Sequence, residues 1–172
     1  EHFNAAYDKD GLVAKKGIIN EALLKAMKAD TFFNVPLPKT IGPELFNLAF
    51  IENAQLASAT TQIAKEDIMA TLNRLTAETI VDAIHMHVPS TDQYTLYTSG
   101  GGMHNLLVVE HIQSLLPHIT IKSSQSIGIH PDAKEAILFA ILANEAVAGS
   151  PMYVGGNATK MPVTMGKISF PI

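Results

Sequence analysis

The chain has 172 residues, of which 47% are hydrophobic and 16% are charged, so it is long enough for an ordinary domain and too apolar to be disordered. Its net charge of −4 argues against electrostatic binding of nucleic acid, because phosphate backbones attract basic surfaces. The absence of cysteine excludes disulfides and thiolate zinc sites and is compatible with a reducing cytoplasm. We predict no membrane span and no signal peptide. Because the chain begins at Glu1, we expect a fragment or a renumbered chain.

The first half of the sequence predicts a turn followed by three helices. Tyr7 to Gly11 has the Asp and Gly composition of a tight turn. Asn20 is a suitable N-cap for a short helix to Ala29. A second helix is predicted from about Pro43, because proline is favoured at the first helical position. The recurrence of apolar residues from about Ala64 to Met86 predicts one long amphipathic helix.

The second half predicts strands alternating with helices. We expect strands over Tyr94 to Thr98 and Ile119 to Ile121, separated by a helix over Asn105 to Leu116. A helix from Pro131 to about Ala148 is apolar almost all round in its middle, which predicts a buried position. The tail ends in a predicted strand, Gly166 to Phe170. This order predicts a single α/β domain with a small sheet.

Three consecutive glycines, Gly100, Gly101 and Gly102, join a predicted strand to a predicted helix. Such a junction presents backbone N–H groups and the positive end of the helix dipole, and glycine lets a phosphate or sugar approach closely. The alternative is a tight turn capped by Asn105, although three glycines favour a ligand. No Gly-Lys-Ser/Thr follows, and the third glycine of a dinucleotide fingerprint is Asn105 here.

Two charged residues are weaker candidates for a site. Glu135 lies in a predicted first helical turn, where the helix dipole favours an acid; from the residues alone we prefer this explanation to a role in a cleft. Lys39 could meet an anion, but a loop before a helix is the simpler explanation. His85 and His87 would not share a helix face, and no His-Glu-x-x-His occurs, so no metal site is predicted.

The glycine turn also carries a family resemblance. Gly100-Gly101-Gly102-Met103-His104-Asn105 resembles the Gly-Gly-Gly-Ala-His-Asn signature of anhydro-N-acetylmuramic acid kinases. Other stretches resemble family motifs in the same order along nearly the whole chain, and this shared order makes the resemblance specific. They are Tyr7-Asp8-Lys9-Asp10-Gly11, Pro38-Lys39-Thr40-Ile41-Gly42-Pro43-Glu44, Gly128-Ile129-His130-Pro131-Asp132 with Glu135-Ala136, and Pro162-Val163-Thr164 with Gly166-Lys167-Ile168.

The resemblance implies a lobe of the actin, hexokinase and Hsp70 (ribonuclease H-like) ATPase fold, in which two α/β lobes flank a nucleotide cleft. It implies a cytoplasmic kinase that uses ATP and Mg²⁺ to convert 1,6-anhydro-N-acetylmuramic acid to N-acetylmuramic acid 6-phosphate in cell-wall recycling, with no nucleic-acid or membrane partner. By resemblance, the residues on the nucleotide side are Gly100, Gly101, Gly102, His104 and Asn105, with Lys39 a weaker member. Glu135, and more weakly Glu44, are expected on the sugar side.

The resemblance further implies that residues 1–172 are only the C-terminal lobe. The family's Gly-Thr-Ser phosphate loop and its general-base aspartate belong to the N-terminal half, and this sequence has no Gly-Thr-Ser-x-Asp-Gly. Phosphoryl transfer needs a phosphate cradle, a metal-binding carboxylate and a base in one cleft. We therefore expect the chain alone to be inactive. A lobe without its partner exposes apolar surface, so self-association is a further expectation.

Departures from the family pattern keep other hypotheses open. The family's arginine before Glu44 is Pro43 here, and its serine and threonine after Lys39 are Thr40 and Ile41. These changes are the best support for a non-catalytic nucleotide-binding or regulatory module of the same fold. A third hypothesis is a dinucleotide-binding oxidoreductase domain, which binding of NAD without binding of ATP would favour.

Overall fold

The computed structural model describes residues 3, 6–36, 38–42, 44–89 and 93–151. The chain divides into two compact units, Glu1–Tyr97 with Gly101–Lys122 (unit 1) and Thr98–Gly100 with Ser123–Ile172 (unit 2). The helices and strands of the described residues are α1 (Glu21–Lys28), α2 (Leu48–Ala57), α3 (Lys65–His87), β1 (Thr95–Thr98), α4 (Leu106–Leu115), β2 (Thr120–Ser123) and α5 (Lys134–Ala148). Short 3₁₀ helices cover Lys9–Gly11, Ala14–Lys16, Thr31–Asn34, Gly101–His104, Ser124–Ile127 and Pro131–Ala133. The strand predicted over Gly166 to Phe170 lies outside the described residues.

Local capping signals account for where the first helices begin. The side-chain oxygen of Asn20 accepts a hydrogen bond from the backbone N–H of Leu23 at 3.0 Å, which confirms the predicted cap of α1. The predicted start of α2 near Pro43 was wrong, because α2 begins at Leu48. Its cap is Asn47, whose side chain accepts from the N–H of Phe50 at 3.2 Å.

Unit 1 has its core on both sides of α3, which is the long helix that the sequence predicts. The first half of α3 packs with α1 and α2, and the second half packs with α4 and the start of β2. The buried residues of the first cluster are Leu23, Leu24, Met27, Ala54 and Leu75, and those of the second are Ala77, Val81, Ile112, Leu116 and Ile119. Burying these side chains supplies the main favourable term in folding.

The two strands form a small parallel sheet with α4 as the connection between them. The backbone N–H of Thr120 donates to the carbonyl of Tyr94 at 3.4 Å at the start of this pairing. Parallel neighbours need such a crossover. The arrangement confirms the predicted mixed α/β class and places the three glycines between the end of β1 and the start of α4.

Helix α5 differs from its prediction. Its span confirms the predicted helix, but none of its residues is buried, and Phe139 and Val147 are 67% and 78% exposed. Within unit 2, α5 packs on the preceding 3₁₀ turn, Pro131–Ala133, which is too short to cover an apolar helix. The apolar pattern predicts a helix that packs against other residues, but it does not identify those residues. Among the described helices, none combines the length and hydropathy needed to cross a bilayer.

Candidate functional site

The glycine turn, Gly100 to Gly102, leaves β1 through a left-handed residue. Gly100 has φ of +78°, a backbone conformation that residues other than glycine adopt at an energetic cost. Its backbone N–H donates to the carbonyl of Pro131 at 3.0 Å, within unit 2. The chain then forms the 3₁₀ turn Gly101–His104, and the N–H of Asn105 donates to the carbonyl of Gly102 at 3.2 Å. The backbone of Gly100 is therefore held within unit 2, and that of Gly102 within unit 1.

The space beside the glycine turn is open. A Cβ atom placed on Gly100, Gly101 or Gly102 meets no atom within 4 Å, and Gly101 and Gly102 are exposed. Neither Gly101 nor Gly102 has a positive φ. The positive φ therefore accounts for glycine at position 100, whereas neither packing nor backbone conformation accounts for it at positions 101 and 102. Two glycines that the fold does not require, on an exposed backbone, fit the close approach of a ligand.

Helix α4 starts directly after this turn. The side-chain oxygen of Asn105 accepts from the backbone N–H of Val108 at 3.2 Å, which confirms the capping role that the sequence predicts. His104 is exposed at the end of the 3₁₀ turn. The positive end of the α4 dipole thus lies beside the glycines, an arrangement that favours anions.

The turn near the start of the chain meets Asn105, and sequence reasoning did not foresee this contact. Gly11 has φ of +71°, and a Cβ atom on it would lie 2.6 Å from Oδ1 of Asn105 and 2.9 Å from Cβ of Leu107. Glycine is therefore required at position 11 by backbone conformation and by space. Two family-like motifs, separated by about 90 residues in the sequence, are packed against each other in unit 1.

Lys39 is held by the loop in which it lies. Its Nζ donates to the carbonyl oxygens of Phe32 and Phe33 at 2.9 and 3.1 Å, and it lies 4.7 Å from the centre of the Phe32 ring. It lines a cavity of about 870 Å³ together with Phe46, Asp82 and neighbours on α3. The glycine turn is not part of this lining. The structure therefore does not bring Lys39 and the glycine turn into one cavity among the described residues.

Glu44 lines a different cavity in unit 1. This cavity, of about 410 Å³, is formed with Asp30 and residues of α1 and α2. The exposed Glu44 carboxylate folds back so that a Cβ atom on Gly42 would collide with it. Glu44 and Lys39 come from one motif, but they line separate cavities.

Glu135 lies where the sequence places it, in the first turn of α5. Its side chain is exposed. A first-turn acid benefits from the helix dipole, and an exposed carboxylate is also accessible to a ligand. Both explanations from the sequence are consistent with this position in unit 2.

A charge cluster in unit 1 was missed by sequence reasoning. Lys28 bridges Glu78 and Asp82 at 2.8 and 2.9 Å, and Nε of Arg74 lies 2.7 Å from Glu78. The one available signal was the four-residue spacing of Arg74 and Glu78 on α3. Partial burial raises the pKa of Glu78, but hydrogen bonds and charge from Lys28 and Arg74 lower it by more, so its net pKa is below the ordinary value.

The same balance acts in reverse on Lys28. Partial burial lowers its pKa, and the hydrogen bonds and charges of Glu78 and Asp82 raise it by more, so its net pKa is raised. Partial burial, with the Arg74 charge, lowers the pKa of His111. The ion pairs of Lys28 join α1 to α3. Within the described ranges, no three His, Asp or Glu side chains come together as a metal-ligand set.

Known proteins resemble the chain over nearly all of its length. The family model for anhydro-N-acetylmuramic acid kinase matches residues 1–170. The relative of that name from Pseudoalteromonas translucida is 48% identical over 169 residues, which cover 97% of this chain and 42% of the relative. The relative from Pseudoalteromonas atlantica is 47% identical over 173 residues, which cover 99% of this chain and 43% of the relative. The relative from Caldanaerobacter subterraneus is 36% identical, and the match covers 98% of this chain and 43% of the relative. The chain thus spans about two fifths of the length of these relatives.

Proposed function

Because the chain belongs to the anhydro-N-acetylmuramic acid kinase family, we propose that it is the C-terminal lobe of a two-lobed sugar kinase of the actin, hexokinase and Hsp70 type. The proposed reaction transfers the γ-phosphoryl group of ATP to 1,6-anhydro-N-acetylmuramic acid in the cytoplasm. Water opens the anhydro ring, and the products are N-acetylmuramic acid 6-phosphate and ADP. The observation that carries the proposal is the open glycine turn at the start of α4.

The glycine turn is the proposed nucleotide contact. Its backbone is exposed, the space beside Gly101 and Gly102 is empty to 4 Å, and the positive end of α4 follows at once. Phosphate or ribose oxygens can approach such a backbone within hydrogen-bonding distance, because no Cβ atom intervenes. We assign His104 and Asn105 to the support of this contact.

The remaining assignments follow the family resemblance. We propose that the exposed carboxylate of Glu135 hydrogen-bonds hydroxyl groups of the anhydro-sugar, with Glu44 in a lesser role at the sugar side. Lys39 keeps a weaker proposed role toward the nucleotide. Its ammonium has three N–H donors, and two are directed at the carbonyls of Phe32 and Phe33.

The glycine turn does not fit a magnesium site. Mg²⁺ in kinases is bound through one or two carboxylates together with substrate phosphates, and no group of three or more His, Asp or Glu side chains that could hold a metal ion occurs among the described residues. The glycine turn itself carries no carboxylate. We therefore propose that the metal-binding carboxylates and the general base belong to the part of the kinase that this chain does not span.

The test compares the whole protein with the chain alone. Its complete form, including the coding sequence upstream of Glu1, is incubated with ATP, Mg²⁺ and the anhydro-sugar. ADP release and the mass of the sugar product are then measured. We expect a sugar 6-phosphate from the complete protein and none from residues 1–172. Robust turnover by the 172 residues would refute the requirement for the other lobe.

The second candidate is a non-catalytic nucleotide-binding module of the same fold. It is favoured by Pro43, which replaces the family's arginine, and by the use of the Lys39 ammonium in holding its own loop. The same experiment separates the two functions. A complete protein that binds ATP, measured by calorimetry, but yields no phosphorylated sugar supports the module.

A further inference from the structure

We infer that Gly11 is a positioning residue for the glycine turn, an inference that rests on the proposed function because the nucleotide is its readout. The turn of Asp8 to Gly11 lies against the first residues of α4. By doing so it fixes the side chain of Asn105, and with it the end of the 3₁₀ turn that begins at Gly101. Gly11 contacts no ligand in this assignment and acts through Asn105.

The first step of the argument is the closeness of Gly11 to the cap. A Cβ atom at position 11 would lie 2.6 Å from Oδ1 of Asn105 and 2.9 Å from Cβ of Leu107. The first of these atoms, Oδ1 of Asn105, is the oxygen that accepts the hydrogen bond from the backbone N–H of Val108. A methyl group at position 11 must therefore displace the atom that caps α4.

The second step is that the turn is anchored and cannot simply withdraw. The Asp8 carboxylate accepts from the backbone N–H groups of Val13 and Ala14 at 2.8 and 3.0 Å. Ala14 is 1% exposed. A few residues later, the N–H of Ile18 donates to Asp67 on α3 at 2.7 Å. With the loop fastened on its far side, the Asn105 side chain is the part that yields.

The third step connects Asn105 to the proposed nucleotide contact. The backbone N–H of Asn105 donates to the carbonyl of Gly102, so a shift of the cap moves the last glycine of the turn. Displacements of about 1 Å at a positioning residue reduce rates by up to about 100-fold. A Cβ atom on Gly101 or Gly102 would meet nothing within 4 Å, so side-chain packing does not fix these two residues.

The experiment uses the complete protein and the substitution Gly11→Ala. We expect the KM for ATP, and its dissociation constant by calorimetry, to rise about tenfold while the KM for the sugar stays within about twofold, because only the nucleotide contact moves. A merely structural role would lower the unfolding temperature without this split between the two substrates.

Gly128→Ala is the matched control for backbone strain. Gly128 has φ of +83°, close to that of Gly11, but a Cβ atom there meets nothing within 4 Å. The control should carry a similar conformational cost and leave ATP binding within about twofold of wild type. An equal weakening of ATP binding by both substitutions would overturn the inference.

Asn105→Ser tests the route through the cap. Serine still caps a helix but lacks the atom that alanine at position 11 would strike. If the two sites are coupled, Asn105→Ser weakens ATP binding less in the Gly11→Ala background than in wild type. Independent, multiplicative effects would show that Gly11 does not act through Asn105.

A variant that adds no volume covers the case in which Gly11→Ala fails to fold. Asp8→Asn keeps one acceptor and loosens the turn, and it should weaken ATP binding about threefold. Unchanged ATP binding in Asp8→Asn, or in a folded Gly11→Ala, overturns the inference. Failure of the proposed function is a separate result: the wild-type protein then forms no sugar phosphate, while the ATP titrations still report on Gly11.

Discussion

The glycine turn and the loop around Lys39 both match family motifs, yet they differ in what their polar groups contact. At the glycine turn, the space beside the backbone is empty to 4 Å. At the loop, the Lys39 ammonium already has two carbonyl partners, on Phe32 and Phe33. A motif match by itself does not distinguish a residue that meets a ligand from one that holds the fold.

The difference has a physical basis. A ligand contact needs groups that the fold leaves accessible, because a hydrogen bond already made within the protein must be broken before a new one can form. By this criterion Gly101 and Gly102 are the strongest ligand candidates in unit 1. Lys39 has part of its bonding capacity in use, and the backbone carbonyl of Glu44 accepts from Nδ2 of Asn47.

The largest expected effect is that of Gly101→Val in the complete protein. A valine side chain would occupy the space that the nucleotide needs, so we expect ATP binding to weaken about 100-fold, about 2.7 kcal/mol. Since no atom lies within 4 Å of the new Cβ, the unfolding temperature should stay close to that of wild type. Unchanged ATP affinity would show that the nucleotide does not bind beside Gly101. The glycine turn and the Lys39 loop would then no longer differ in ligand contact.

The next effect concerns the sugar. Glu135→Gln removes a charged hydrogen-bond acceptor, so we expect kcat/KM for the anhydro-sugar to fall about tenfold while ATP binding changes less than twofold. The control is Glu145→Gln, near the other end of the same helix, which should leave sugar turnover unchanged. Equal and negligible effects of both substitutions on turnover would leave the helix dipole as the reason for Glu135.

Signals carried within a few residues predicted much of this fold. Asn20 and Asn105 cap the helices that they were expected to cap, because a side chain bonds an N–H three residues away. The start of α2 was wrong because two local preferences competed, and the cap at Asn47 prevailed over the proline at position 43. The burial of α5 was wrong because burial depends on residues distant in sequence.

The candidate site divides in the same way. The openness of the glycine turn and the cap at Asn105 follow from adjacent residues, so the sequence indicated both. The contact between Gly11 and Asn105 spans about 90 residues, and a single sequence contains no measure of such a distance. The carbonyl partners of Lys39 were equally hidden, since they depend on how the Thr31–Asn34 turn is oriented.

Lys39→Met tests the other half of the comparison. The substitution keeps an apolar stem and removes two charge-assisted hydrogen bonds, so we expect the free energy of unfolding to fall by about 1–2 kcal/mol. Because the proposed role of Lys39 toward the nucleotide is a lesser one, ATP binding should weaken only about twofold. Chemical denaturation measures the change in stability, and an ATP titration measures the change in binding. Lys39→Arg is the control, because its donors can restore part of the lost stability. A large loss of ATP affinity with unchanged stability would give Lys39 the nucleotide role that the family resemblance implies.

The smallest expected effect is that of Glu78→Gln. Glu78 is the reference residue for Lys39, because we expect its charge to affect the stability of the fold and not ATP binding. Because its pKa in the folded protein is below the ordinary value of 4.5, its contribution is complete above pH 4.5 and is lost as pH falls through the folded pKa. Glu78→Gln should therefore lower the free energy of unfolding at pH 7 by about 0.5–1 kcal/mol. This difference from wild type should shrink as pH falls below 4.5 and through the lowered pKa of Glu78. A pH-independent difference would show that the lowered pKa does not contribute to stability, and any change in ATP binding would remove Glu78 as a fold-only reference for Lys39.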